Sequence, residues 1–307
     1  MKTGSVAVVG RPNAGKSTLV NALVGEKVAI VSDKPQTTRK RILGVARRPG
    51  AEIALVDTPG IHKPEYRLNV AMVHDATDAL ASADLVLFVI DAAGERGPGE
   101  RYIADLVARA GVPSVLVPNK IDRIRKEKLL PLIQELTAAH RFDDVVPVSA
   151  RTGENVEHLF EVLAARMPEG EAAYPEDFLT STPETEWIGE VIREKLLERT
   201  RNELPFAHAV LIESVKEAED KDLTVVIASI VVEREGQKGI IIGKQGAMLK
   251  HIGTRARLEI ERFLGKKVFL ELFVKVREGW RGSARAVEET LDWKRQLEGL
   301  TPKGSRE

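Results

Sequence analysis

Two glycine-rich loops stand far apart in the chain, "GRPNAGKST" from Gly10 to Thr18 and "GIIIGKQGAMLK" from Gly239 to Lys250. Glycine lets a backbone come close to phosphate. The first loop has the spacing Gly10-x-x-x-x-Gly15-Lys16-Ser17, which cradles nucleotide phosphates when it joins a strand to a helix. The backbone of Gly10, Asn13, Ala14, Gly15, Lys16, Ser17 and Thr18 is then expected to wrap the phosphates. Lys16 would bridge the β- and γ-phosphates, and the Ser17 hydroxyl is a candidate ligand for Mg²⁺.

Three further stretches bear on which nucleotide is held. "DTPG" (Asp57–Gly60) ends a buried apolar run, where a carboxylate can hold Mg²⁺ through water and the Gly60 N–H can sense a γ-phosphate. "NKID" (Asn119–Asp122) offers a carboxylate that can accept from guanine N1–H and the 2-amino group. Adenine lacks both donors, so Asp122 would be left unpaired against it. Asn119 would support the loop and reach the base edge, with the stem of Lys120 covering its face. In "SARTG" (Ser149–Gly153) the Ala150 N–H is a candidate donor to guanine O6.

The elements that must carry these loops can be read from the apolar pattern. "SVAVVG", "RILGVA", "EIALVD", "DLVLFVID", "PSVLVPNK" and "VVPVSA" predict strands. Helices are expected over Lys16–Val24, Leu68–Leu80, Gly99–Ala110, Lys126–Ala139 and Val156–Met167. Strands alternating with helices imply an α/β domain built on a mostly parallel six-stranded sheet covered on both faces. Only "RILGVA" and "EIALVD" lie too close together for a crossover, so that pair should be antiparallel. The domain is expected over residues 1–168, with a proline-bearing linker over 169–183.

Residues 184–307 change pattern to an α+β order: a helix near Glu186–Arg201, strands near His208–Lys216 and Leu223–Glu233, then the second glycine loop. A helix over Ala247–Phe263, the strand "KVFLELFVKV" and a last helix near Ser283–Leu297 follow. The loop Gly243-Lys244-Gln245-Gly246 lacks the Lys-Ser of a nucleotide loop but has the G-x-x-G form that clamps nucleic-acid backbone. Lys244, Lys250, Arg255 and Arg257 lie in or near it and could contact phosphates. Ile240, Ile241, Ile242, Leu249 and Ile252 are expected to supply core, some of them the rim of a groove.

The motifs of the first half, in their order, resemble those of Ras-like GTPases. That resemblance makes "SDKPQTTRKR" (Ser32–Arg41) a first switch, with Thr38, or alternatively Thr37, closing over Mg²⁺. It also exposes a departure, since Ile61 stands where those proteins have the glutamine that orients the attacking water. A group of translation-factor-like GTPases carries Asn at the place of Asn13, and the likeness implies a K⁺ held there near the β/γ-phosphates. An ordinary turn role for Asn13 is the alternative. His62 and Lys63 could shape the second switch or be loop residues facing solvent. On the resemblance, Lys16, Thr38, Gly60 and Asn13 carry hydrolysis.

The second half resembles a type II KH domain. With "GRPNAGKST", "KPQTTR", "DTPGIHKP", "NKID", "GKQGAMLKHIG" and "LGKKVFLELFVKVREGWR" together, the whole chain is similar to the Era family of bacterial GTPases. What this implies is a GTP/GDP switch that binds the 3′ end of small-subunit ribosomal RNA and assists assembly of that subunit. The rival reading is a signalling or membrane-surface GTPase whose second domain docks a protein or anionic lipid.

Bulk properties fit either reading. The chain has 307 residues and no cysteine, which excludes disulfides and Cys-type zinc sites and agrees with a reducing cytoplasm. No apolar run approaches a membrane span, so a cytoplasmic protein is expected, at most peripheral at a membrane. The net charge of zero hides an uneven spread. Residues 171–235 carry 7 basic and 16 acidic side chains, and residues 236–307 carry 16 and 9. A net −9 segment beside a net +7 one suggests a nucleic-acid footprint at the C-terminal end.

Overall fold

The computed structural model describes residues 1–34, 37–61, 78–95, 97–200, 208–218 and 222–280. The expected last helix, most of the helix at Leu68–Leu80, and Pro35, Gln36, His62 and Lys63 lie outside them. The chain divides into two compact units, one holding residues up to Thr182 and the other beginning at Pro183.

The first unit runs β1 (Lys2–Val9), α1 (Lys16–Val24), β2 (Ile42–Arg48), β3 (Ala51–Asp57), β4 (Leu85–Asp91), α2 (Pro98–Ala110), β5 (Ser114–Asn119), α3 (Leu129–Ala139), β6 (Asp144–Val145) and α4 (Val156–Arg166). Its sheet has the order β2-β3-β1-β4-β5-β6. Only the β2–β3 pair is antiparallel, with Ile42 opposite Asp57 and Arg48 opposite Ala51. Strand alternation sends Val6 and Val8 of β1 into one apolar cluster with Leu19, Val20, Leu159 and Phe160. Val9 goes into the other, with Phe88, Ile103, Val107 and Leu132. Both faces are therefore dry, and the loops at the carboxyl ends of β1, β3 and β5 are held on a rigid platform. The stretch "VVPVSA" forms strand only at its first residue, Val145; beyond it the chain stays on β5 through Val146 N–H to Leu116 O and Val148 N–H to Pro118 O.

Residues 169–182 are laid down rather than spanning freely. Val45 N–H of edge strand β2 donates to Leu179 O at 2.8 Å. Arg47 donates to the carbonyls of Phe178 and Pro175 at 2.6 and 2.7 Å. The same guanidinium pairs with buried Glu52, whose other oxygen accepts from Ala173 N–H at 2.7 Å. The strap thereby covers the open edge of the sheet, a surface that would otherwise recruit foreign strands.

The second unit runs α5 (Glu184–Arg199), β7 (His208–Glu217), β8 (Leu223–Val232), α6 (Glu235–Ile242), α7 (Ala247–Leu264) and β9 (Lys267–Val276). β8 pairs antiparallel with β7 and parallel with β9. The core lies between this sheet and the helices, from Trp187, Val191, Ala256 and Ile260 at one end to Leu196, Ile241, Ile252 and Val274 at the other. Lys195, nearly buried, bonds Glu194 at 2.6 Å and Glu259 at 2.7 Å, tying α5 to α7. Helix α6 is absent from the sequence expectation. Its residues "EGQKGIII" combine two glycines with a β-branched run, which reads ambiguously as loop or strand.

Candidate functional site

The first loop follows β1 and opens α1, as its mechanism requires. Gly15 has φ +92°, and a Cβ there would fall 2.3 Å from Asn119 Nδ2, so only glycine fits the close approach of the two loops. Asn13 also sits in the left-handed region, with φ 64°. Its side-chain amide donates to Asp33 O at 2.7 Å, joining the loop to the expected first switch.

Lys16 is buried beneath this loop, its Nζ donating to Gly10 O at 3.2 Å and Arg11 O at 3.1 Å. Burial pushes its pKa down to about 8, opposed by the nearby Asp57 charge. Asp57, at the end of β3, is itself fully buried, and burial drives its carboxyl upward against the pull of Lys16, Ser17 and Thr38.

Three oxygen donors converge beside it. Ser17 Oγ lies 2.6 Å from Asp57 Oδ2 and 2.8 Å from Thr38 Oγ1, and Thr38 Oγ1 lies 3.3 Å from Asp57 Oδ2. Asp57 Oδ1 is buried without a hydrogen-bond partner. Two hydroxyls and a carboxylate with an orphaned oxygen form a hard-donor set suited to Mg²⁺, which prefers few protein ligands and keeps its waters. Between the two threonines the geometry separates the roles: Thr38 meets Ser17 and Asp57, whereas the Thr37 hydroxyl donates to Lys34 O at 2.6 Å.

Gly60 packs against the first loop, where an added Cβ would lie 2.6 Å from Pro12 N. Ile61, in the usual glutamine position, is 1% exposed and packs in the cluster of Val9, Leu80 and Phe88. Its side chain therefore points into the core and away from any attacking water.

The base end is built by β5 and the loop after β6. Ser149 Oγ donates to Asp122 Oδ1 at 2.7 Å, and Arg151 pairs with Oδ2. These partners, Ser149 first, hold the Asp122 carboxyl below the usual range, so it is an ionised double acceptor at neutral pH. Asn119 is committed to the protein: Nδ2 donates to Ala14 O at 3.0 Å, and Oδ1 accepts from Lys120 N–H and Ala150 N–H at 2.7 and 3.0 Å. The Ala150 N–H, expected to face guanine O6, donates here to Asn119 Oδ1, and Asn119 thereby ties the two loops of the base end to the first loop.

Lys120 Nζ reaches Asn13 O and Asp91 Oδ2, both at 2.6 Å. Asp91, at the end of β4, falls in none of the sequence motifs; its signal was only a carboxylate closing an apolar strand. Arg151, within "SARTG", gave no signal of its contact with Asp122. These parts enclose a cavity of about 440 Å³ lined by Lys16, Ser17, Thr38, Gly60, Asn119, Asp122 and Ala150. Gly10, Ala14 and Thr18 lie on the same loop, with Thr18 on the cavity wall.

In the second unit the G-x-x-G stretch joins α6 to α7. Gly243 has φ +71°, and a Cβ there would meet Met248 Cβ at 2.8 Å. Gln245 and Gly246 also take left-handed conformations, with φ 52° and 76°. Lys244, Gln245 and Lys250 are exposed around this tight turn. Arg255 is exposed farther along α7, and Arg257 bonds Glu261 at 2.9 Å, about 15 Å up the helix from the turn. The structure groups Lys244 and Lys250 with the loop and sets Arg257 apart. Ile241 and Ile252 are core, while Ile240 is 54% exposed.

Comparison with known proteins places these sites in a family. Residues 5–120 match the family model described as a 50S ribosome-binding GTPase, and residues 207–281 match that of the KH domain. GTPase Era of Geobacter metallireducens is 49% identical over 288 residues, which is 94% of this chain and 97% of that protein. GTPase Era of Syntrophus aciditrophicus is 45% identical, with 94% of each chain covered. Among solved structures, an Aquifex aeolicus Era variant bound to GDP and AlF4⁻ superposes with a TM-score of 0.91 at 42% identity, covering 94% of this chain and 99% of the other. Era in complex with MgGDPNP and nucleotides 1506–1542 of 16S ribosomal RNA gives 0.92 at 42% identity, covering 94% and 98%. With a GTPase domain and a KH domain in this order and 49% identity to a GTPase Era over 94% of its length, the chain belongs to the Era family of GTPases.

Proposed function

We propose that this GTPase holds GTP and Mg²⁺ in the cavity of the first unit and the 3′-end region of small-subunit ribosomal RNA on the G-x-x-G turn of the second. On this reading it is a cytoplasmic switch in assembly of the small ribosomal subunit. The observation that carries the nucleotide half is the convergence of Ser17, Thr38 and Asp57 around an orphaned carboxylate oxygen beside Lys16. The likeness to the Era complex with 16S ribosomal RNA supports the RNA half. Mg²⁺ would neutralise phosphate charge, with Ser17 and Thr38 as ligands and Asp57 holding it through water. Lys16 would grip the phosphates, and the Gly60 backbone would register the γ-phosphate, so hydrolysis releases the loops bearing Thr38 and Gly60. Strand β2, which leaves the first switch, carries the strap at 173–180, giving nucleotide state a covalent and hydrogen-bonded route toward the second unit. The domain division we adopt is residues 1–168, a connecting segment over 169–183 and 184–307.

RNA crosslinked to the protein should be sequenced with a non-hydrolysable GTP analogue and, separately, with GDP. A peak at the 3′ end of small-subunit ribosomal RNA, stronger with the analogue, is expected. Gly243→Asp with Gly246→Asp should remove it. Retention of the peak in that variant would place the RNA elsewhere, and its absence in the wild type would return the second unit to protein or anionic-membrane docking. Among the described residues no helix is long and apolar enough to cross a membrane.

With Ile61 buried, the missing catalytic charge is assigned to K⁺ beside Asn13, whose amide already ties the first loop to the Asp33 carbonyl. Hydrolysis is expected to run at least several-fold faster in KCl than in NaCl, and Asn13→Ala should abolish the difference. Equal rates for the wild type in the two salts would eliminate the cation.

A further inference from the structure

The base-reading loop is followed by "IDRIRKEK" (Ile121–Lys128), two short 3₁₀ turns, Ile121–Arg123 and Lys126–Lys128, that lead into α3. Arg123, Arg125, Lys126 and Lys128 are all exposed, and among the described residues none of the four makes an ion pair or a side-chain hydrogen bond. The single acid within this run of cations, Glu127, is also exposed. In a chain with as many acids as bases, four unpaired cations within six residues are a concentrated local excess.

Their placement works against the fold. The turn Lys126–Lys128 runs straight into α3; the residue before the turn, Arg125, offers no side-chain cap, and Glu127 is the one acid against the cations of this helical start. Helix starts favour acids and capping oxygens, because their free N–H groups carry partial positive charge. Crowding cations there adds like charge to like. Sequences break a local rule of this kind chiefly where function demands it. Beside the patch Leu130 is 63% exposed, an apolar side chain on which a ribose or base could rest.

We infer that the segment Arg123–Lys128 is a second RNA-contacting surface, on the GTPase unit, that takes the phosphate backbone of the small ribosomal subunit. The inference rests on the RNA reading above. Charge complementarity selects a polyanion. An anionic membrane is the weaker candidate, since a short basic turn needs a second anchoring signal to hold a bilayer. RNA is already gathered by the G-x-x-G turn of the same chain, so phosphates near the second surface would act at raised effective concentration. Arg123 also lines the nucleotide cavity next to Asp122, so RNA seated here would lie a few residues from the base-reading carboxylate.

The test compares the wild type with Arg125→Gln/Lys126→Gln/Lys128→Gln and with the corresponding triple Glu variant, all in the full chain loaded with a GTP analogue. Arg123 is left intact because it borders the nucleotide. Binding is measured across a salt series to isolated small subunits and to a short oligonucleotide of the rRNA 3′ end, with melting temperature and GTP turnover as controls. Subunit affinity of the Gln variant should fall about tenfold or more, with the slope of log K against log salt reduced by about 2. Oligonucleotide affinity should stay within about twofold, and both controls should match the wild type. The Glu variant should weaken subunit binding further. Unchanged subunit affinity and slope would overturn the proposal, as would equal weakening of both RNAs. Loss of binding to anionic vesicles with subunit binding intact would assign the patch to a membrane instead. A wild type that binds neither RNA would defeat the RNA reading of the whole chain, an outcome visible before any variant is made.

Discussion

Asp122→Asn is expected to weaken GTP and GDP binding by about 10²–10³-fold while xanthosine nucleotides gain affinity. The Asp122 carboxyl is held ionised by Ser149 and Arg151, so each of its oxygens is an acceptor at neutral pH. Guanine offers two donors on that edge, N1–H and the 2-amino group. Hydrogen bonds to a charged group contribute about 1.5–3 kcal/mol each, so losing one and opposing the other costs about 3–4 kcal/mol. Asparagine presents an amide N–H₂ where the base also donates. Xanthine carries a carbonyl at the position of the 2-amino group and accepts from that amide. Displacement of a fluorescent GDP by GTP, XTP and ATP reads all three preferences. An Asn variant that keeps GTP affinity would show that the base is read away from Asp122.

The nucleotide half of the protein was legible because each motif ties a side-chain identity to a strand end. Gly15, Lys16, Ser17 and Asp122 line one cavity, with Asp57 buried just behind Ser17, because β1, β3 and β5 are parallel and deliver their carboxyl ends to the same edge. What escaped the sequence is where backbone groups are spent. The Ala150 N–H goes to Asn119, and nothing in "NKID" or "SARTG" states that preference. The choice between Thr37 and Thr38 likewise needed the switch backbone, which turns one hydroxyl to Lys34 O and the other to Ser17. The strap at 173–180 has no apolar period because carbonyls rather than side chains fasten it to Arg47 and Val45. Helix α6 was hidden by its glycines, and its tertiary contact through Ile241 is what makes it a helix. The sequence marked Ile61 as a missing glutamine but not as a core residue, and burial turns that absence into a reason to seek catalysis at Asn13.

Lys16→Gln is expected to weaken GTP binding by about 10²–10³-fold, the usual cost of truncating one partner of a buried charge pair. The pH profile separates this electrostatic role from simple packing. In the nucleotide-free fold burial lowers Lys16 to about 8, from 10.5 in the unfolded chain. The unfolded state then binds more protons, so this group costs stability in full below about pH 8, and the cost is relieved as pH rises to 10.5. Nucleotide reverses the balance. Phosphates favour the ammonium and raise its pKa, so binding above about pH 8 must take up a proton. Wild-type GTP affinity should therefore fall with rising pH, approaching tenfold per unit, while the Gln variant lacks this dependence. Ionisation of the guanine base also weakens binding in alkali, but it is common to both proteins and cancels in their ratio. Equilibrium titrations with a fluorescent nucleotide at pH values on either side of 8 decide the point. Parallel profiles for the two proteins would mean that Lys16 stays charged in the free site, its burial offset by Asp57 rather than awaiting phosphate.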